Sequence, residues 1–422
     1  MSPITKLLGL LSLVSLFTPL SPVQAQTLQS VASAASTTST PSPAPQKDFR
    51  ELGGQLLRYL HLAKPDSLQP NQNQSDNNHP KQPKLLFACI PGIGYTLTTG
   101  LTAVVSNNLS FYLGDHQKTY LSSITTNAEF SLFDHQIIVP IESNIWSNNN
   151  GLNWLGDYRY LRFPSNTFGL GPYSSQYNAQ LVDYSYLRFY QECLKKISQH
   201  QFLGIGYNLD YHYNINPLSA GDFQAYNQQA TATTSSGLLL HYLYDGRLNV
   251  NTPEPGHYIS LTYRSNLTAL GSNTDWQSLQ IDLRKYIQLS PHSSNILALW
   301  SYTWLTFGGK VPYFELPSTG WDTYSSVGRG YIQGRLRGGN LVYLEAEYRF
   351  GITRNGLIGG VVFVNAQSVT NPGNYQFQTV LPGEGVGLRF KVNKHSVVNF
   401  CVDYAIGNQG SKGFFFNICE YF

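Results

Sequence analysis

An arginine set between two glycines and followed by an aromatic, Gly328-Arg329-Gly330-Tyr331, is the stretch of this chain best suited to a definite piece of chemistry. Glycine lets backbone pass close to other chain, and a guanidinium needs an acidic partner wherever water is scarce. That chemistry is recognition by ion pairing, with no bond made or broken. Catalysis finds less support. Serine hydrolysis needs a nucleophile, a histidine base and an orienting polar group together. His135 with Ser143 and Asn144 is the nearest such set, and these lie too far apart along one extended segment to meet. The 10 histidines show no metal-ligand spacing, and the four cysteines, Cys89, Cys193, Cys401 and Cys419, show no CxxC spacing. No catalytic residue, metal or cofactor is expected, and the chain is not read as an enzyme.

The elements that would position Arg329 begin after an export signal. Met1–Lys6 is short and positive, Leu8–Leu20 is apolar, and Val23-Gln24-Ala25 fits a small-residue cleavage site, so residues 1–25 read as a signal peptide. Residues 26–83 are a different material. Ser30–Gln46 is rich in Ser, Thr, Ala and Pro, and Gln69–Pro83 in Asn, Gln and Pro; such segments bury too little apolar surface to order themselves. Between them, Phe49–Ala63 carries leucines at roughly helical spacing, which suits a short amphipathic helix or a weakly ordered tether.

From Lys84 to Phe422 the pattern is two-residue alternation broken by turn clusters. The chain holds 29 Tyr, 22 Phe and 37 Gly against one Met and 12% charged residues. That mix suits strands with one face on lipid and the other on a wet lumen. A formal charge of +3 without a basic run argues against nucleic acid as a partner. Sixteen strands are expected, at 84–96, 100–112, 119–130, 135–147, 153–164, 180–192, 201–213, 231–243, 257–268, 274–288, 294–307, 340–351, 356–366, 378–392, 395–407 and 413–422. The fold class is therefore all-β, a 16-stranded antiparallel transmembrane β-barrel with a long outer loop folded inward. The longer connections 165–179, 214–230, 308–339 and 367–377 all fall on the outer side, and only the inner connection 244–256 is longer than this scheme prefers. Val342, Leu344, Ala346, Tyr348 and Phe350 would face lipid, with Tyr343, Glu345, Glu347 and Arg349 facing the lumen. In the last strand Phe414, Phe416, Ile418 and Phe422 share one face, a C-terminal recognition strand. Cys401 and Cys419 would point the same way on neighbouring strands, as small lumen residues or as a disulfide.

This order of features resembles the BamA/TamA superfamily, the bacterial surface antigen type of outer-membrane barrel. It is carried by the loop ending in Arg-Gly-Tyr, by Glu345-Ala346-Glu347-Tyr348-Arg349-Phe350, by Val361–Ala366, by Gly387–Phe390, and by the last two strands. The likeness is architectural from Lys84 and specific from about Gly328 onward. It implies that the loop folds into the barrel, that Arg329 is the loop arginine and that Glu347 is its partner on the wall. Where the resemblance leads one to expect a second acid, this chain has Asn365, which accepts a hydrogen bond without neutralising charge. One ion pair, one neutral contact and help from Glu345 are expected. Residues 26–83 are too few for a polypeptide-transport-associated domain, so a barrel-only member is implied.

The function implied is insertion or translocation of proteins, or of lipids, through a lateral seam between the first and last strands. Free N–H and C=O groups there can template an incoming strand, and Pro91, Gly92 and Gly94 weaken the first strand. The expected setting is the bacterial outer membrane. Its partners would be outer-membrane lipid, unfolded outer-membrane or secreted client proteins, and a periplasmic protein that captures them. The alternative is a passive pore or structural surface barrel.

Overall fold

The computed structural model describes residues 85–422 apart from 116–117, 133–134, 219–220, 250–251, 254, 292, 324 and 394–397. The signal peptide, the linker and the Phe49–Ala63 helix lie outside the described residues. Sixteen long strands form: β1 Leu85–Thr96, β2 Gly100–Phe111, β3 Ser122–Ser131, β4 Ile137–Trp146, β5 Leu152–Arg162, β7 Gln180–Lys196, β8 Gln201–Pro217, β9 Thr233–Asp245, β10 Gly256–Asn266, β11 Trp276–Gln288, β12 Ile296–Phe307, β13 Leu341–Gly351, β14 Ile358–Val369, β15 Leu381–Asn393, β16 Val398–Gly407 and β17 Lys412–Ile418. A three-residue strand, β6 Ser165–Thr167, lies within the expected outer loop 165–179 and pairs with β7. A six-residue helix, α1 Asp222–Asn227, sits in the next outer loop.

Every long strand pairs antiparallel with the next, β5 joining β7 directly, in one 17-stranded sheet that forms the barrel. The alternation decides which side chains enter the lumen. Along β13, Leu341, Tyr343, Glu345, Glu347 and Arg349 are buried while Val342, Leu344, Ala346 and Tyr348 are only partly covered. The inner connection between β9 and β10 remains long, spanning 246–255, although Gly246 N–H still donates to His257 O and prolongs the ladder by one step.

The wall is uneven. Between β3 and β4 the ladder pairs Thr125 with Glu142 and then Glu129 with Ile138, and the missing step is centred on Pro140, which has no N–H to give. β1 pairs along its whole length with β2. Among the described residues no register joins the other edge of β1 to β17. The two meet through side chains near the outer end: the Tyr95 and Phe416 rings are edge-to-face at 6.2 Å, and Leu97 packs over Gly413. β17 stops two residues beyond Phe416, at Ile418. Leu85, Leu86 and Phe87 are 58%, 50% and 68% exposed in succession, so the inner part of β1 is open on both faces.

One expectation is corrected here. The last strand does not run to the end of the chain, and Phe422 does not share the outward face of Phe414, Phe416 and Ile418. Those three are exposed, whereas Phe422 is 2% exposed. Cys419 takes a left-handed φ of 77°, a conformation a non-glycine residue adopts only when its surroundings hold it there. That single residue breaks the two-residue period and sends Glu420, Tyr421 and Phe422 into the lumen.

Candidate functional site

The loop between β12 and β13 turns back into the barrel and buries its own side chains against the wall. Val327, Tyr331 and Leu336 pack with Trp300, Tyr302, Leu341, Tyr343 and Leu381. At the tip, Gly328 and Gly330 have φ of 91° and 99°. A Cβ on Gly328 would lie 2.4 Å from Thr319 Cγ2, and one on Gly330 would lie 3.0 Å from the Ile406 carbonyl. Both conformation and clearance therefore call for glycine on either side of Arg329. Tyr331 fixes the descent: its hydroxyl donates to Pro382 O at 2.5 Å and accepts from Asn408 N–H at 2.7 Å.

Arg329 is 2% exposed and meets three carboxylates. Nη1 donates to Asp403 Oδ2 at 2.7 Å, and Nη2 is hydrogen-bonded to both Glu345 and Glu347. The guanidinium lies over the Phe363 ring at 3.7 Å and the Tyr421 ring at 4.5 Å. Burial disfavours its charge, yet Glu347 and Asp403 outweigh that and hold its pKa above the ordinary arginine value. The acids have further partners. Glu347 accepts from Arg349 Nε at 2.6 Å, and Asp403 accepts from Arg389 Nη1 at 2.5 Å. Arg389 Nε also donates to Glu420 at 2.6 Å, and Arg349 Nη2 donates to the Phe422 carbonyl at 3.0 Å. Phe422 stacks on Trp300 at 5.1 Å. The tail, the loop tip and the wall of β13 to β16 thus share one network of charged hydrogen bonds.

A second network holds the loop's other limb. Arg264 on β10 donates to Asp210 on β8 at 2.6 Å, and Tyr190 donates to the same carboxylate at 2.8 Å. Arg188 lies 3.8 Å from Asp210 and donates to Asp157 at 3.1 Å. Into this group the loop inserts Glu315, 3.6 Å from His212 and 3.9 Å from Arg264. These distances are longer than direct charged hydrogen bonds. Burial, reinforced by Asp210, pushes the Glu315 carboxyl up to about 8 despite the nearby arginines.

The family model that matches this sequence is that of the Omp85 superfamily domain, over residues 173–422, more than half of the chain. The chain belongs to the Omp85 superfamily. Among solved structures it is similar to BamA from Haemophilus ducreyi lacking POTRA domains 1–3, at 16% identity and a TM-score of 0.54, over 79% of this chain and 69% of that one. It is also similar to CdiB from Acinetobacter baumannii, at 14% identity and a TM-score of 0.52, over 80% of this chain and 59% of that one. It therefore spans less than two thirds of the CdiB chain. At these identities the likeness speaks for the fold. No curated protein sequence matches. This Omp85 chain is thus an outer-membrane-type β-barrel.

Within that barrel the expected partners of Arg329 need one change. Asn365 does not meet the guanidinium; its Nδ2 donates to the Arg329 carbonyl at 3.0 Å and so fixes the loop backbone. Asp403 is the third acid at the guanidinium. Its place on the inward face of β16 is readable from the alternation, but its pairing depends on how far down the lumen the loop reaches. The Asp210 network was not anticipated, because its members come from β5, β7, β8, β10 and the loop with no shared spacing. His135, Ser143 and Asn144 do not assemble: His135 is exposed in the turn before β4, while Ser143 and Asn144 lie near the far end of that strand. The four cysteines are free, with Cys401 buried in the lumen and Cys419 at the bend.

Proposed function

We propose that this Omp85 barrel assists the insertion or export of proteins at the outer membrane by templating an incoming strand on the free edge of β1. One observation carries the reading: among the described residues the only strand in register with β1 is β2, and β17 ends at Ile418 with the tail held in the lumen. A strand with one unpaired edge in lipid must find donors and acceptors, since neither water nor hydrocarbon supplies them there. An extended client segment does so by strand addition. Arg329 with Glu345, Glu347 and Asp403 keeps the loop docked while the seam is exposed. Residues 1–25 are read as an export signal and 26–83 as a periplasmic linker, with client capture assigned to a separate periplasmic partner. The superfamily membership and the likeness in fold to BamA and CdiB support this reading over a passive pore.

The test locks the seam. In a cysteine-free background, Tyr95→Cys and Phe416→Cys would be oxidised to a disulfide, and folding of a urea-unfolded outer-membrane barrel would be followed in liposomes containing the protein. Locking should abolish the acceleration and reduction should restore it. Acceleration that survives the lock would sink the seam mechanism and leave a pore or structural barrel as the better account.

A further inference from the structure

Below the Asp210 network, toward the inner mouth, three lumen-facing side chains stand in an order that charge pairing alone does not call for. His241 on β9 has Nδ1 2.8 Å from Glu192 Oε2 on β7 and Nε2 2.9 Å from Ser260 Oγ on β10. The carboxylate holds the ring proton on Nδ1, which leaves Nε2 to accept the Ser260 hydroxyl proton. This is the arrangement of nucleophile, base and orienting acid that activates a serine. A second observation comes from the strand in between. β8 separates β7 from β9, and its residues opposite Glu192 and His241 are Gly206 and Gly204. A Cβ on Gly206 would lie 2.9 Å from Glu192 Cγ. Glycine inside a strand weakens it; here it clears the path by which Glu192 reaches across β8. Ser260 and the Glu192 carboxylate are only partly buried, and Ser260 lies four residues into β10, about 13 Å along the strand.

We propose that Ser260, His241 and Glu192 form a nucleophilic site that accepts an acyl group from a carboxylic ester entering the lumen from the inner side. Ser260 Oγ bonds to the ester carbonyl carbon as its proton passes to His241 Nε2. The tetrahedral adduct collapses, the alkoxide takes that proton and leaves as the alcohol, and Ser260 carries the acyl group. Water then attacks the acyl carbon, its proton passing to His241 Nε2 and on to Ser260 Oγ as the carboxylic acid departs. Ser260 and His241 are the catalytic residues. Glu192 is a positioning residue that fixes the tautomer and offsets the imidazolium charge.

The probe is a fluorescent alkyl fluorophosphonate added to the full chain folded in detergent, with gel mobility before and after heating to show that each variant is a folded barrel. The expected result is one adduct, mapped by mass to Ser260 and absent in Ser260→Ala. Its rate should fall about 100-fold or more in His241→Gln, and fall in Glu192→Gln with recovery in Glu192→Asp, which returns a carboxylate to the ring. Gly206→Val, which changes none of the three polar residues but crowds Glu192, should also slow labelling by displacing its side chain. Absence of labelling in the folded wild type, or equal rates in wild type and His241→Gln, would overturn the proposal.

Discussion

From β5 round to β16 the lumen face is a chain of paired charges onto which the long loop docks at two points, whereas from β1 to β4 it is mainly hydroxyl and amide. Thr102, Ser106, Asn108, Thr125 and Asn127 point inward there, and the buried loop residues pack elsewhere. The braced wall keeps its ladders apart from single register shifts between Asp183 and Ser185 and between Lys391 and Asn393; the other has the longer break at Pro140 and the one-sided β1. Buried charge networks add little net stability compared with apolar packing, but losing one member is costly. The contrast teaches that this barrel places its specific, hard-to-remake contacts away from the seam, and leaves the seam with contacts that break cheaply.

The largest expected effect follows from breaking the clamp. Arg329→Ala leaves Glu345, Glu347 and Asp403 without their shared cation, at a cost of about 3–5 kcal/mol, and should lower the heat resistance of the folded barrel on gels. Arg264→Ala should act in the same direction on the other network. Releasing the tail comes next. Glu420→Gln weakens the bond from Arg389 Nε, a hydrogen bond between charged groups worth about 1.5–3 kcal/mol. It should raise cross-linking between cysteines placed on the inner ends of β1 and the tail. If cross-linking does not change, the tail is held by Phe422 packing alone.

A smaller effect sharpens the difference between the two docking points. Glu315 has a folded-state pKa above its unfolded one, so the folded state binds more protons between the ordinary carboxylate range and about 8. Stability from this group is therefore greatest at low pH and falls as pH rises through that window. Glu315→Gln should flatten the slope of stability against pH between 5 and 8, measured by denaturant unfolding in detergent. An unchanged slope would place the titrating group elsewhere. The smallest effect is at the seam: no atom lies within 4 Å of a Cβ on Gly92, so Gly92→Ala should change stability by less than about 1 kcal/mol. A large loss there would contradict the open edge.

Much of the barrel was legible because lipid and water enforce a strict two-residue period. Val342 to Phe350 could be assigned to faces from the sequence alone. The inward tail was not legible. It depends on one left-handed residue, Cys419, and nothing in Cys419-Glu420-Tyr421-Phe422 marks that turn without the lumenal arginines that reward it. The pairing of Arg329 with Asp403 was hidden for a related reason, since residues 74 positions apart meet only after the sheet has curved and the loop has entered. Ser260, His241 and Glu192 lie on three strands, with register across β8 deciding their meeting, and no local spacing reports that.

Hydrogen–deuterium exchange of the protein in lipid nanodiscs, read at single-residue resolution, tests the central claim most directly. In an antiparallel strand alternate amides point to opposite neighbours. The account predicts that every second amide from Leu85 to Gly92 exchanges orders of magnitude faster than the amides of Tyr343–Arg349, while those bonded to β2 stay protected. Uniform protection along β1, equal to that of β13, would contradict it.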